Sequence, residues 1–354
     1  MPGTPDRVGG PARRSWRRRG LTLAVLAIVS LTACTGGTPS VRPVDTPARP
    51  VPEMTLPAAD GERLPASRWL PAGPPRGVVL ALHGFAEYRG GFYTLGPRLA
   101  EAGYAVYAYD QRGFGQTARR GYWPGRAQLV ADARTVLAHL RDRYPGRPVH
   151  LLGHSMGGAV AMLAVTGEAA VTPASTILVA PAVHGWESLP LLQRWALQVG
   201  NALFPGWRPQ QRWGQRLADI RVTDDPWVQL VQAGDPDYLR AIRVDMIHGV
   251  VTLMDRALAV AGGLPARTLV LYGGRDDLVP RTAFCNLLAR LPAPPAGPRV
   301  ALYPDGHHYL LRDLQREAPL RDIVAWLEAG RRPTTVGAAV SREEARDRLC
   351  AAGG

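Results

Sequence analysis

Six short apolar runs constrain this chain more than anything else in it. They are "RGVVLALHGF" (76–85), "YAVYAYDQRG" (104–113), "PVHLL" (148–152), "STILVAPAV" (175–183), "RTLVLYGG" (267–274) and "PRVALYPDG" (298–306). They lack the in–out alternation of a half-solvated strand, so each reads as a strand buried on both faces. Between them lie stretches of helical period. In 127–144 the apolar positions are Leu129, Val130, Ala133, Val136, Leu137 and Leu140, and further helices are expected near 280–291 and 314–330. Buried strands alternating with helices predict an α/β fold, a mostly parallel sheet covered by helices on both faces. With 354 residues, 46% of them hydrophobic, one large core and an inserted subdomain are both affordable in size. In such sheets functional loops gather at the carboxyl ends of the strands.

The rhythm breaks over 183–262, which has helical spacing and no strand pattern, and whose stretch 186–220 carries Trp186, Trp195, Trp207 and Trp213. It is expected to be a helical cap inserted over the carboxyl end of the sheet. The core then comprises 54–182 and 263–330, and 331–354 is a charged tail, expected to be a loosely docked helix or disordered.

The first residues carry their own message. A cationic "RRSWRRRG" precedes the apolar "LTLAVLAIVSL", too short to span a bilayer comfortably, and ends at Leu31-Thr32-Ala33-Cys34. These four residues resemble a bacterial lipobox. That implies a lipoprotein signal peptide over 1–33, cleavage before Cys34 and a diacylglyceryl anchor on its thiol. The alternatives are an ordinary signal peptide or an uncleaved anchor. Thr35 after the cysteine suggests outer-membrane sorting, if the host has two membranes. Residues 34–53, rich in Pro, Gly, Ser and Thr, read as a flexible tether.

The formal net charge is +13, but six arginines and one aspartate precede Cys34, leaving +8 spread over the rest without a basic stripe. Nucleic-acid binding is therefore not expected. Cys285 lies in a helical stretch and is expected to be a small buried residue, unpaired with Cys350, since two cysteines do not make a framework.

Three strand ends bring polar side chains that suit one chemistry. Gly153-His154-Ser155-Met156-Gly157 fits G-x-S-x-G, a serine on a tight strand-to-helix turn. Asp276 and Asp277 follow "LVLY", and His307 and His308 follow "VALY". A hydroxyl, a base to take its proton and an acid to orient the base are what nucleophilic acyl transfer requires. Asp276 is the better placed acid. His83 and Asp110 read as organisers of their own loops, and His154 fills the variable position of the turn.

From about residue 54 to 328 the chain resembles the monoacylglycerol lipase/lysophospholipase branch of the α/β-hydrolases, the branch grouped with serine aminopeptidases. The residues that carry the resemblance are "HGFAE" (83–87), "YDQRGFG" (109–115), "GHSMGG" (153–158), "YGGRDDLVP" (272–280) and "YPDGHHYLL" (303–311). The resemblance implies a Ser155, Asp276, His308 triad, with His308 preferred to His307. It also implies an oxyanion hole from the backbone N–H groups of Phe85 and Met156. The family's usual histidine after Glu87 is Tyr88 here, and its arginine a little further on is Gly91. The implied activity is hydrolysis of carboxylic esters, of monoacylglycerol or lysophospholipid type, with no metal or cofactor. A peptidase or amidase would use the same site, with Asp224, Asp225, Asp235 or Asp237 as an anchor for a substrate amine; a hydrolase fold turned binding module is the remaining alternative.

Overall fold

The computed structural model describes residues 53–209, 220–293, 295–328 and 339–350. The signal peptide, Cys34, the tether up to residue 52 and Trp213 lie outside the described residues, as do 331–338 and 351–354 of the tail.

Nine strands form one sheet: β1 (Met54–Pro57), β2 (Arg63–Trp69), β3 (Gly77–Leu82), β4 (Tyr104–Tyr109), β5 (Val149–His154), β6 (Thr176–Val179), β7 (Thr268–Gly273), β8 (Arg299–Tyr303) and β9 (Ala339–Val340). Their order across the sheet is β1-β2-β4-β3-β5-β6-β7-β8-β9. The run from β4 to β8 is parallel, while β1, β2 and β9 are antiparallel additions at the edges. The helices are α1 (Leu95–Glu101), α2 (Arg126–Arg143), α3 (Met156–Ala164), α4 (Leu191–Leu203), α5 (Pro226–Gly234), α6 (Val244–Ala259), α7 (Arg281–Arg290), α8 (Glu317–Glu328) and α9 (Arg342–Cys350).

Every residue of β3, β4 and β5 is buried, which accounts for their unbroken apolar runs. The period of two divides β3 between two cores. Val78, Leu80 and Leu82 face the core shared with α2, α3, α6 and α7, while Val79 and Ala81 face the one shared with α1 and α8. This is the α/β-hydrolase architecture.

The stretch 183–262 divides. On α4 no side chain is buried, and on α5 only Val228 is. Asp225 starts α5 by accepting the N–H groups of Trp227 and Val228, with Pro226 at the first helical position. By contrast α6 places Met246, Val250, Leu253, Ala257 and Leu258 in the main core beside α3. Each such burial stabilises the fold by roughly 1.5–3 kcal/mol for the larger side chains. The expectation that the cap runs to 262 is corrected: its last helix is core, and the segment outside the core ends near residue 243. An amphipathic helix reads the same from sequence whether it covers a sheet or a cleft.

The tail is also better anchored than its composition suggests. β9 pairs with the edge of β8, and α9 packs on α7. This brings Cys350 to Cys285, with Cα atoms 5.9 Å apart, and the two form a disulfide. The expectation of unpaired cysteines is therefore corrected. A separation of 65 residues gave no sign that the last helix returns to α7.

Candidate active site

Ser155 sits between β5 and α3 with φ 51° and ψ −117°, a backbone conformation that L side chains rarely adopt. Backbone bonds hold it there: its N–H donates to the Val179 carbonyl at 3.0 Å, and its carbonyl accepts from Ala159 at 3.2 Å and Ala182 at 3.0 Å. The flanking glycines are required by space. A Cβ on Gly153 would lie 2.2 Å from the Gly157 carbonyl oxygen, and one on Gly157 would lie 2.1 Å from that of Leu82.

The strand ends bring three side chains into line. His308 Nε2 is 2.9 Å from Ser155 Oγ, and His308 Nδ1 is 2.8 Å from Asp276 Oδ2. A carboxylate only accepts, so Nδ1 carries the hydrogen and Nε2 presents its lone pair to the serine hydroxyl. The other oxygen of Asp276 accepts from the N–H groups of Leu278 at 2.9 Å and Val279 at 2.8 Å, which fixes the carboxylate in its loop. All three side chains are buried. Asp277 instead accepts from the N–H of Arg221, and His307 lies near Asp313.

Met156 is the first residue of α3, so its N–H belongs to the group that a helix start leaves without an intrahelical acceptor. Phe85 follows the end of β3, and its ring meets Phe114 edge-on at 5.5 Å. Ala86, next in the turn, has φ 62°. His83 braces this turn: its Nδ1 is 2.8 Å from the Gly84 carbonyl, and its Nε2 accepts the Gln111 N–H at 2.9 Å. Asp110 holds its own loop by accepting from the backbone of Arg89 and Gln116 and pairing with the Arg89 guanidinium.

Beneath the three lies a buried network that the sequence reading missed. Glu87 accepts the Gly84 N–H at 3.0 Å, faces His154 Nδ1 at 3.0 Å and pairs with Arg312. Burial alone would raise the Glu87 carboxyl, but Arg312 and His154 hold it well below the usual carboxylate range. His154 Nε2 lies 3.2 Å from the His308 carbonyl, so His154 touches the protein and supports the backbone of His308. Tyr88, in place of the family's histidine, donates to Asp235 at 2.5 Å. The available signal for this network was Arg312, one cation in the otherwise apolar run 309–312.

An open cavity of about 460 Å³ adjoins Phe85, bounded by Ala86, Gln229, Gln232, Tyr238, Leu239 and Arg240. Among the described residues no carboxylate borders it. Of the aspartates weighed as an amine anchor, Asp225 caps α5 and pairs with Arg316, Asp235 accepts from Tyr88 and Asp237 accepts from Gln116, while among the described residues Asp224 accepts only the Leu314 N–H.

Comparison with known proteins places the chain in a family. Residues 73–315 match the family described as serine aminopeptidase, S33. The chain is 31% identical over 302 residues to the monoglyceride lipase of Mus musculus, covering 82% of this chain and 94% of that one. To the monoacylglycerol lipase of Mycolicibacterium smegmatis it is 28% identical over 278 residues, covering 78% and 96%. Among solved structures, the monoacylglycerol lipase of Paleococcus ferrophilus superposes with a TM-score of 0.63 at 22% identity, over 76% of this chain and 100% of the other. On this evidence the chain belongs to the serine aminopeptidase S33 family of α/β-hydrolases and is a carboxylic ester hydrolase.

Proposed function

We propose that the protein is a lipid-anchored serine esterase that cleaves monoacylglycerol-type or lysophospholipid-type esters through an acyl-enzyme on Ser155. The observation that carries this reading is the line from Ser155 Oγ to His308 Nε2, 2.9 Å, and from His308 Nδ1 to Asp276, 2.8 Å. His308 takes the serine proton as Oγ attacks the acyl carbonyl, and the carbonyl oxygen becomes an oxyanion facing the N–H groups of Phe85 and Met156. The imidazolium, stabilised by Asp276, gives its proton to the departing alcohol. Water then repeats the two steps and frees the acid and the serine.

Three features favour a lipid-like ester over a peptide. Among the described residues no cap aspartate borders the cavity at Phe85, so that cavity holds no carboxylate to anchor a substrate amine, and burying an unpaired ammonium is costly. The cavity at Phe85 offers amides, a hydroxyl and the Arg240 side chain, which suit a neutral or anionic polar head group better than an ammonium. The outer face of α4 is apolar, with Leu192 81% and Trp195 66% exposed, as suits an enzyme that works where acyl chains are. The lipobox-like Leu31–Cys34 supports a location on the outer side of a bacterial membrane, and the Cys285–Cys350 disulfide fits such an oxidising compartment.

The test is fatty-acid release from monoacylglycerols, lysophospholipids, short-chain esters and aminoacyl amides, with Ser155→Ala as the blank. Release that prefers long-chain monoesters and falls by roughly 10⁴–10⁶ in the variant supports the proposal. Cleavage of the amides alone, or activity that survives the substitution, refutes it.

A further inference from the structure

His307, the histidine that competes with His308 in the sequence, is buried behind the catalytic loop in a cluster that no step of the reaction uses. One of its ring nitrogens, a carboxylate oxygen of Asp313 and one of Asp224 all lie within 4.8 Å of one another. His307 and Asp313 are 3% and 1% exposed, which decides the matter of solvent: neither is served by bulk water. Yet His307 Nδ1 and Asp313 Oδ1 have no hydrogen-bond partner, and both residues belong to the cluster. Two unpaired buried polar atoms at one point are costly unless something occupies the space between them.

The charges point the same way. Two carboxylates converge here, and among the described residues neither forms an ion pair with an arginine; Arg316 pairs with Asp225 instead. Their other contacts are uncharged donors: Asp313 Oδ2 accepts from the His307 N–H at 2.6 Å, the Thr223 hydroxyl bonds the Asp313 carboxylate, and Asp224 Oδ1 accepts from the Leu314 N–H at 2.8 Å. Those bonds orient the carboxylates without neutralising them, as the outer partners of a metal ligand do.

We infer that His307, Asp313 and Asp224 bind a divalent transition-metal cation of the zinc type. One imidazole and two carboxylates are ligands zinc accepts, whereas calcium takes six to eight oxygens. Zinc–ligand lengths of about 2.0–2.2 Å set neighbouring tetrahedral ligands roughly 3.3–3.6 Å apart. His307 Nδ1 and Asp313 Oδ2 already stand at 3.5 Å. Asp224, the partly exposed member, closes the site, and water completes the coordination. The cation is structural in effect. Asp224 belongs to the segment that enters α5, and His307 and Asp313 to the loop that carries His308, so one ion ties cap to base loop. The same two segments already touch where the Tyr309 N–H donates to Val222 at 2.8 Å.

The experiment uses the full chain, stripped with a chelator, then titrated with zinc by calorimetry and followed by thermal unfolding. The expected result is one zinc per chain and a higher melting temperature with zinc. Asp224→Ala and Asp313→Asn should each weaken zinc binding at least tenfold and abolish the thermal shift. His308→Ala should bind as the wild type does, which separates this site from the catalytic histidine. Asp224 is partly exposed, so its variant decides the matter if Asp313→Asn does not fold. Zinc binding unchanged in Asp224→Ala, lost in His308→Ala, or absent from the wild type would overturn the assignment, the last leaving water as the partner of the two atoms.

Discussion

Arg312 pairs with Glu87 beneath the active site, in the space that a side chain on Gly91 would enter. A Cβ built on Gly91 would lie 3.5 Å from Arg312 Nη1. The family resemblance leads one to expect an arginine where Gly91 stands; here a guanidinium arrives from the loop that carries His308. That same guanidinium reaches the Tyr238 hydroxyl at 2.9 Å and lies over the Tyr309 ring at 3.7 Å. A residue of the catalytic loop, a residue of the oxyanion turn and a residue near the cap are thus held by one cation.

Removing that cation should be expensive. In Arg312→Met the Glu87 carboxylate remains buried without its guanidinium, and unfolding free energy should drop by about 3–5 kcal/mol. Adding Glu87→Gln should recover a large part of the loss, because the uncompensated charge is gone. Urea unfolding of the two single variants and the double variant measures this; equal, additive losses would mean the pair is energetically idle.

Gly157→Ala should disrupt the elbow, because its Cβ would lie 2.1 Å from the Leu82 carbonyl oxygen, and backbone cannot give way there. A loss of roughly 3 kcal/mol or more is expected. Gly158→Ala, whose nearest contact would be 3.0 Å to Pro181, should cost distinctly less. Thermal melts of both variants decide it, and near-equal values would refute the steric account.

Asp276→Asn changes one oxygen into a donor and leaves the loop N–H groups at Leu278 and Val279 an acceptor. The His308 ring then loses the partner that keeps its hydrogen on Nδ1. Turnover should fall by about 10⁴ with little change in KM. Steady-state kinetics on a long-chain monoester would show it, and a fall of tenfold or less would remove Asp276 from the orienting role.

These residues differ in how far they could be read in advance. Ser155, Asp276 and His308 each end a buried apolar run, and the fold gathers such ends in one place; local pattern and order suffice. The partner of Glu87 is 225 residues away, and nothing near Arg312 names it. Whether α6 belongs to core or cap depends on what it packs against, since its amphipathic spacing fits either. The disulfide was hidden for a similar reason: the short strand β9 must first bring α9 back to α7.

That disulfide gives a prediction of its own. Closing a loop of this length restricts the unfolded chain, so Cys285→Ser with Cys350→Ser should lower stability by about 2–4 kcal/mol. If α9 only clings to α7 locally, the loss appears instead as early proteolysis near residue 350 with the main unfolding transition unmoved. Limited proteolysis alongside calorimetry distinguishes the two, and no change in either would show the bond to be dispensable.

Acid should weaken the fold through His150. It is buried on β5 with Nδ1 2.8 Å from Ser175 Oγ and Nε2 without a partner, so the neutral ring is favoured. Burial, assisted by the positive charge of Arg267, pushes its pKa down from 6.5 to about 4. The folded state therefore binds the proton less readily than the unfolded chain does. The stability this represents is fully present above pH 6.5 and is lost as pH falls toward 4, at about 1.4 kcal/mol per unit and roughly 3 kcal/mol in all. Below 4 both states are protonated and the slope from this residue ends. His150→Gln has no such titration, so its unfolding free energy should vary less between pH 7 and pH 4.5, by about 2–3 kcal/mol. Parallel pH slopes for wild type and variant would show that another of the buried histidines, His83 or His154, carries the acid sensitivity instead, since burial lowers both.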